Sequence, residues 1–419
     1  MFATINEANA AVIAEIRKAR PHLVDVRPAG ECIPALAEGP VLMHAGTDIE
    51  WSAMTGPMKG AVIGACLFEG WVKTAAEAEV FAAEKVRFVL CHDNAAVGPM
   101  GGITSAHMPV LVVRNAVQGN VAYCNLNEGI GKVMRFGAFE GEVQTRLAWM
   151  RDVLGPVLSS ALQRKPEGVD LTALMAQAIT MGDEFHQRNI AASALLMRAL
   201  AADIAATDAT SGDKQDVLRF LERTDQFFLN AAMAHCKCAM DAGHAVGAGS
   251  IVTAMTRNGR DFGIRVAGLG DRWFIAPVNT PVGLFFTGYS QDDANPDMGD
   301  SAITETFGIG GAAMIAAPGV TRFVGSGGFS DALETSEEMR EIYVESNTTL
   351  QIPTWDFQGA CLGLDVRRVV ETGITPVINT GIAHRLPGIG QVGAGTVRPP
   401  LACFEQALLA LVEAQGKSA

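Results

Sequence analysis

The spacing of apolar residues changes twice along this chain of 419 residues, and the change constrains the fold more than any single motif does. Residues 1–140 hold short apolar runs bounded by glycine-containing turns, and the same pattern returns after residue 245. Between them, apolar residues recur at i, i+3 and i+4, as in an amphipathic helix. We therefore predict an α/β protein with two mixed α/β domains (residues 1–140 and 246–419) and a smaller all-helical domain (141–245) between them.

The first segment predicts strands separated by helices. Compact apolar runs at 40–46, 87–93 and 109–115 are typical of buried strands, whereas the run at 61–70 fits either a strand or a buried helix. A stretch with helical spacing precedes residue 87, so this order predicts βαβ units and a largely parallel sheet. After residue 246, the runs IVTAMTRNG, FGIRVAGLG and RWFIAPV predict strands, and ETFGIGGAAMIAAPGV and LACFEQALLALVEAQ predict helices.

Charge and cysteine usage exclude several classes of protein. The formal net charge is −13, so the surface repels phosphate backbones and anionic lipids, and we expect neither nucleic-acid nor membrane binding. The eight cysteines are scattered without a CxxC pair. The first twenty residues carry charges throughout, unlike a signal peptide, and no apolar run is long enough to span a membrane. We expect a cytoplasmic protein with reduced thiols.

The first candidate site follows the apolar run that ends at residue 90. Cys91 and His92 stand there, just before a glycine-rich loop, and ligands bind at the carboxyl ends of parallel strands. His92 is a candidate acid or base and Cys91 a candidate nucleophile. The alternative is that Cys91 is a small buried residue.

Arginines suggest where an anion binds to so acidic a chain. Arg257 and Arg265 lie close together beside glycine turns, and a guanidinium grips carboxylate or phosphate with two hydrogen bonds. The alternative is that these arginines pair with carboxylates of neighbouring segments, which we expect for at least one arginine of this cluster.

Two further segments carry dense polar residues. The segment 183–189 places six polar residues around Phe185 within a stretch predicted to be helical, where Asp183 and His186 would share a face. That spacing supplies half of a metal site at most, so we expect a polar network and no metal or other cofactor. Asp297, Asp300 and Glu305 extend the network, because carboxylates this close need cations or backbone donors.

Glycine-rich loops complete the set of candidates. Gly310 and Gly311 enter a predicted helix and would let an anion approach free N–H groups. The loop from residue 379 to 395 is dense in glycine, which costs folding entropy and therefore favours a functional role. Its candidate residues for binding or proton transfer are Asn379, Thr380, His384, Arg385 and Gly390.

Taken together, these segments resemble the YlbE/YahG-like family of bacterial proteins. The resemblance runs from about residue 40 to 405 and is most specific at 293–311 and 379–395. It is carried by GPMKGAVIGACLFEGW, AVGPMGGITSAHMPV, AYCNLNEGIGKVMRFGA, MGDEFHQRNIAAS, TAMTRNGRDFGIRVAGLG, DANPDMGDSAITETFGIGGAAMIAAPG and INTGIAHRLPGIGQVGAG.

The resemblance implies a function that composition does not. One branch of the family comprises AllG-type subunits of oxamate carbamoyltransferase, which interconverts oxalurate plus phosphate with oxamate plus carbamoyl phosphate in purine and allantoin breakdown. It also implies a small helical domain with two α/β domains, FdrA-like partner proteins, small anionic substrates and a homo-oligomer. Two alternatives stay open, namely a hydrolase or lyase of ureido or amide acids, and a non-catalytic scaffold subunit of an FdrA-like complex.

Overall fold

The structure is a computed structural model that describes residues 2–416, which form a mixed α/β fold. The mixed α/β class predicted from the sequence is confirmed. The helices are α1 (Ile5–Lys18), α2 (Ala29–Cys32), α3 (Gly56–Phe68), α4 (Ala75–Glu84), α5 (Glu142–Trp149), α6 (Gly155–Leu162), α7 (Leu171–Thr180), α8 (Ile190–Ala205), α9 (Ser211–Arg223), α10 (Phe227–His244), α11 (Ile303–Phe307), α12 (Pro318–Phe323), α13 (Phe329–Ile342), α14 (Val366–Thr372) and α15 (Leu401–Gly416).

The strands are short, and most of them belong to small sheets. They are β1 (Pro21–Pro28), β2 (Val41–His44), β3 (Arg87–Leu90), β4 (Ala96–Val97), β5 (Pro109–Asn115), β6 (Val121–Asn125), β7 (Val169–Asp170), β8 (Val252–Asn258), β9 (Asp261–Val266), β10 (Phe274–Pro277), β11 (Val282–Phe285), β12 (Met298–Gly299), β13 (Tyr343–Ile352), β14 (Gln358–Leu364), β15 (Ile378–Ala383) and β16 (Gln391–Val397). None of the helices within residues 2–416 is long and apolar enough to cross a membrane.

Antiparallel pairing dominates these sheets, so the prediction of a largely parallel sheet is wrong. The largest sheet has the order β4-β6-β5-β1-β7, and the others are β10-β9-β8-β12, β11-β16-β15, β13-β14 and β2-β3. Among the described residues, only β2 with β3 and β4 with β6 run parallel. Short connections join β5 to β6 and β8 to β9, and strands joined this way pair antiparallel. A helical crossover through α3 and α4 makes the βαβ unit of β2 and β3.

Two local predictions are corrected or decided by the structure. The apolar run at 61–70, which fitted either a strand or a helix, belongs to α3. The predicted helix after residue 303 breaks at Gly308, whose φ is +108°. A Cβ at Gly308 would lie 1.9 Å from the carbonyl oxygen of Cys361 on β14. Close packing on that strand therefore ends α11, and a 3-10 helix at Gly310–Ala316 follows.

The long helix α10 lies at the centre of the fold. It is buried along nearly its whole length and contacts β5, β6, β8, α1 and α11. A helix that is covered on all sides belongs to a core. The largest core accordingly draws residues from all three sequence segments, with Val12, Leu174 and Phe262 among them. The exact division into three domains stays a prediction.

Candidate active site

The turn between α7 and α8 gathers polar side chains inside the protein. It spans residues 183–189, which form no helix, so the prediction that Asp183 and His186 share a helical face is wrong. Phe185 has a φ of +72°, and its N–H donates to the carbonyl of Arg188 at 3.1 Å. A buried aromatic residue in left-handed conformation costs roughly 1–3 kcal/mol, and such strain concentrates at functional sites.

Asp183 and Glu184 hold the turn in place through backbone donors. The Oδ2 atom of Asp183 accepts the N–H of Ala192 at 2.7 Å, so this carboxylate covers the N-terminal end of α8. The Oε1 atom of Glu184 accepts the N–H groups of Gln187 and Arg188. Burial raises the pKa of Asp183 to about 6 and the pKa of Glu184 to about 7, so both groups titrate near neutrality.

Glu305 on α11 joins this turn to the C-terminal segment. Its two oxygens lie 2.8 and 3.0 Å from Nδ1 of His186. Its Oε1 also accepts the N–H groups of Gly311 at 2.8 Å and of Asn379 at 3.3 Å. The side chain of Asn379 in turn donates to Oε2 of Glu184 at 3.1 Å. Residues predicted from three separate segments therefore meet around one buried carboxylate.

Gly310 is required where it stands. Its φ is +65°, and a Cβ there would lie 2.2 Å from Oε1 of Glu305. Its N–H donates to the carbonyl of Glu184 at 2.7 Å. The role of Gly310 in this structure is thus to let Glu305 approach, while the predicted role of this loop in binding an anion stays a prediction.

The contacts of His186 fix the tautomer of its ring. A carboxylate only accepts hydrogen bonds, so Nδ1 carries the proton that is donated to Glu305. Within residues 2–416, Nε2 has no hydrogen-bond partner. A histidine held through Nδ1 by a carboxylate presents the lone pair of Nε2 as a general base.

A cavity of about 550 Å³ adjoins the turn. Arg188 lies in its wall with 39% of the side chain exposed, and its guanidinium makes no hydrogen bond to any residue in the described part of the chain. The nearest carboxylate oxygen, Oδ1 of Asp183, lies 3.5 Å from Nε. The other lining residues are Ile130, Gly182, Gln187, Asn189, Ile190, Asp225, Gln226, Ala316, Ala317, Pro318, Gly319, Val320, Phe323 and Thr354. The cavity therefore combines an apolar wall with an arginine that is ion-paired to Asp183 and still has hydrogen-bond donors for an anion.

Cys91, His92 and Asp300 form a second buried group at the end of β3. Nε2 of His92 lies 3.7 Å from Oδ1 of Asp300, and burial holds the pKa of His92 well below its usual range. Asp300 accepts the N–H groups of Gly98 at 3.0 Å and Gly46 at 3.2 Å, and burial raises its pKa to about 6. Burial also raises the pKa of the Cys91 thiol, which disfavours the thiolate. The catalytic roles of Cys91 and His92 stay predictions.

The two arginines predicted to bind substrate both have carboxylate partners within the protein. Arg257 is fully buried, and its Nε donates to Asp297 at 2.6 Å and its Nη1 to the carbonyl of Gly299 at 2.7 Å. Arg265 donates to Asp93 at 2.5 Å and stacks on Trp273, with its guanidinium carbon 4.1 Å from the ring centroid. The structure thus shows the alternative that the sequence left open for these arginines, and their contact with substrate stays a prediction.

The remaining candidates lie along β15 and the loop after it. Thr380 donates to Asp297 at 2.8 Å and so belongs to the Arg257 network. Nδ1 of His384 accepts the backbone N–H of Leu386 at 3.0 Å, and the backbone N–H of His384 donates to the carbonyl of Gly390. The side chain of Arg385 is exposed. This loop is not part of the Glu305 cluster, and its role in binding stays a prediction.

Three residues of the Glu305 site were not singled out from the sequence, namely Glu184, Arg188 and Asn189. All three belong to the segment 183–189, whose polar residues were noted. The density of polar residues within an apolar stretch is the sequence feature that could have identified these three residues. What the sequence concealed is which of its arginines lies in the wall of a cavity, since that depends on distant segments.

Comparison with known proteins gives a family and a shared fold. The family model described as "Oxamate carbamoyltransferase subunit AllG" matches residues 86–301. The Escherichia coli K12 protein "Oxamate carbamoyltransferase subunit AllG" is 70% identical over 417 residues, covering 99% of this chain and 100% of that protein. "Uncharacterized protein YahG" from the same strain is 43% identical over 413 residues, covering 98% and 87%. The crystal structure of a conserved protein of unknown function from Enterococcus faecalis V583 shares 47% identity and superposes with a TM-score of 0.95 over 98% of both chains.

Proposed function

The chain belongs to the AllG family of oxamate carbamoyltransferase subunits, and from this membership we propose that it is a carbamoyltransferase subunit acting on oxalurate and phosphate, or in reverse on oxamate and carbamoyl phosphate. The observation that carries the proposal is the 70% identity with the E. coli subunit over the whole of both chains. The cavity lined by Arg188, which adjoins the turn that carries His186, is the proposed place of reaction. Cytoplasmic purine or allantoin breakdown is the proposed setting.

The substrates of this reaction are small anions, and Arg188 suits them. Oxamate carries a carboxylate, and a guanidinium without a protein hydrogen bond can grip it with two donors. The carboxylate of Asp183 lies 3.5 Å away, close enough to orient the guanidinium. We therefore propose for Arg188 the same role in anion binding that the sequence predicts for Arg257 and Arg265.

His186 supplies the proton transfer that the reaction needs. When the amide nitrogen of oxamate attacks the carbonyl carbon of carbamoyl phosphate, a C–N bond forms and the bond from carbon to the phosphate oxygen breaks. The electron pair leaves with phosphate, and the nitrogen must lose a proton. Nε2 of His186 takes that proton, and in the opposite direction it returns the proton to the departing oxamate nitrogen. A positioned base of this kind contributes roughly 10²–10⁴-fold in rate.

The family description names a subunit, so we also propose partner chains. FdrA-like proteins are the proposed partners, and self-association of the chain is proposed as well. The chain alone then holds the acceptor end of the site, and the complete complex is needed for turnover.

The test is release of phosphate from carbamoyl phosphate, measured with and without oxamate, for the chain alone and mixed with an FdrA-like protein. We expect oxamate-dependent phosphate release from the mixture. In the mixture, Arg188→Lys should raise the KM for oxamate roughly ten- to hundredfold, since one charged hydrogen bond is lost. Arg198→Lys, an exposed arginine further along α8, is the matched control and should change nothing.

Other outcomes separate the alternatives. Consumption of oxalurate without any need for phosphate would indicate a hydrolase or lyase instead. Full activity of the partner with this chain omitted would indicate a scaffold. Equal KM values for Arg188→Lys and Arg198→Lys would remove the cavity from the proposal.

A further inference from the structure

Strand β11 is an open edge of a three-stranded sheet. It pairs antiparallel with β16 on one side, and no strand within residues 2–416 pairs with its other side. Three apolar side chains alternate along one face of this edge, and Val282, Leu284 and Phe286 have exposed fractions of 69%, 52% and 39%. An exposed edge carries unpaired backbone groups, so it is a template for the addition of another strand.

This edge lacks the charges that usually protect an exposed strand. Residues 274–291 contain no Asp, Glu, Lys, Arg or His, although the chain has a net charge of −13. Proteins commonly place lysine or another charged residue on an open edge, where it prevents pairing with a second chain. An apolar and uncharged edge on an acidic protein therefore indicates a surface that is covered in the assembled protein.

The hydrogen bonds to β16 show which backbone groups of β11 face outward. The N–H of Phe286 donates to the carbonyl of Val392 at 2.8 Å, and the register of the two strands places these residues opposite each other. Bonding alternates along an antiparallel pair, so the even-numbered residues of β11 bond to β16. The N–H and C=O groups of Gly283 and Phe285 therefore point to the open side.

We propose that β11 pairs antiparallel with β11 of a second copy of this chain, about a twofold axis at Leu284. In this register Gly283 of one copy lies opposite Phe285 of the other, and the two residues exchange their outward backbone hydrogen bonds. Leu284 faces its counterpart, and Val282 faces Phe286, so every side-chain pair on the exposed face is apolar. The symmetry makes β11 its own match, in side chains and in backbone groups.

The paired edge lies next to the cavity lined by Arg188. A Cβ at Gly325 would lie 3.1 Å from Cγ of Leu284, so the segment after α12 packs against β11. Phe323, two residues before Gly325, is 49% exposed and lines the cavity. Two copies joined at β11 therefore meet beside the cavity. This inference deepens the proposed function, because it rests on the self-association proposed there and gives that association a surface.

Sedimentation equilibrium of the full chain tests the pairing. We expect the parent chain to be a dimer at low micromolar concentrations. Leu284→Glu and Leu284→Lys each place like charges opposite each other at the axis, and each should raise the dimer dissociation constant roughly a hundredfold or more. An equimolar mixture of the two variants should form a dimer again, because glutamate then faces lysine.

Ile275→Glu is the matched control. Ile275 is 40% exposed on β10, which is an edge strand of another sheet, but its carbonyl accepts the side-chain amide of Gln406 on α15 at 3.2 Å. This control should keep the dissociation constant within about twofold of the parent value. Val282→Glu is the further variant if a Leu284 variant does not fold, and it should raise the constant roughly tenfold, because its charge is buried against Phe286.

The outcomes separate this inference from the transfer reaction. A parent chain that is monomeric at about 100 μM overturns the inference and the proposed self-association with it. A dimer that the folded Leu284 variants leave intact overturns the surface, and variants that stay monomeric when mixed overturn the twofold register. Loss of binding to an FdrA-like protein by Leu284→Glu, with a monomeric parent, would assign the edge to that partner instead. Oxamate-dependent phosphate release by the parent complex tests the transfer reaction by itself, so either proposal can fail without the other.

Discussion

Replacing Glu305 by glutamine should remove the general base while leaving the site assembled. Oε1 of Glu305 accepts the backbone N–H groups of Gly311 and Asn379, and both of its oxygens lie near Nδ1 of His186, Oε1 at 2.8 Å and Oε2 at 3.0 Å. A glutamine that keeps its carbonyl oxygen on the two backbone donors must turn its NH₂ group toward His186. That group can only donate, so we expect Nδ1 to accept from it in place of its present contact with the retained oxygen, and the ring proton to move to Nε2. The imidazole is then in the wrong tautomer to take a proton from the substrate.

The size of the effect follows from the chemistry of this tautomer change. In the serine-protease triad, the equivalent replacement of the carboxylate preserves geometry and lowers kcat by about 10⁴-fold. A positioned base contributes roughly 10²–10⁴-fold, so we expect kcat to fall at least a hundredfold. The KM for oxamate should change by less than about threefold, because Arg188 keeps its position. Losing one charged hydrogen bond should lower the free energy of unfolding by about 1.5–3 kcal/mol.

Two measurements check this expectation. The first is oxamate-dependent phosphate release by the complete complex, with Glu79→Gln, an exposed carboxylate on α4, as the matched control. The second is ¹⁵N NMR of the histidine rings, in which the His186 signal should change from the Nδ1-protonated to the Nε2-protonated pattern. A Glu305→Gln complex with more than a tenth of the parent kcat, or with an unchanged His186 tautomer, would refute the reasoning.

Three further predictions concern stability. Arg257→Lys should lower the free energy of unfolding, measured by chemical denaturation, by about 1–3 kcal/mol. Lysine cannot reproduce both the hydrogen bond to Asp297 and the hydrogen bond to the carbonyl of Gly299. The affinity for oxamate should stay at the parent value. Burial raises the pKa of Glu184 from 4.5 to about 7, so the stability it contributes is present below pH 4.5 and is lost as pH rises to about 7. Glu184→Gln should therefore remove about 3 kcal/mol of pH dependence across that window, and equal melting-temperature differences between pH 5 and pH 8 for parent and variant would contradict it. Gly310→Ala should lower the melting temperature by several degrees, since the residue has a φ of +65° and its Cβ would lie 2.2 Å from Oε1 of Glu305. An unchanged melting curve would show that the turn adapts to the added methyl group.

Local sequence patterns predicted the elements of this fold better than their pairing. The strands β8 and β9 and the helix α15 lie where the apolar spacing placed them. The direction of pairing was not available from spacing, because β1 pairs with both β5 and β7 across long stretches of chain. Apolar runs report burial, but the choice of neighbour depends on loops and on cores formed by distant residues.

The candidate site shows the same limit at the level of side chains. The sequence identified His186, Glu305 and Asn379 as polar residues in apolar surroundings, but their meeting depends on contacts across 119 and 74 positions of the chain. Proximity in sequence also misled at Asp183 and His186, because a left-handed Phe185 turns the chain where spacing predicted a helix. Nothing in the local sequence announces that conformation.

The distribution of arginines explains why the sequence pointed to Arg257 and Arg265 and not to Arg188. An acidic protein that binds an anion needs concentrated positive charge, and the tightest arginine cluster in the sequence is the one around residue 260. The buried arginine of that cluster, Arg257, needs a carboxylate because an unpaired buried charge is costly, so it is the least available for substrate. Arg188, with part of its side chain exposed to a cavity, can stay without a hydrogen-bonded partner until a ligand supplies one. Binding an anion therefore depends less on how many arginines lie together than on which guanidinium the fold leaves partly exposed to a cavity, with hydrogen-bond donors unused.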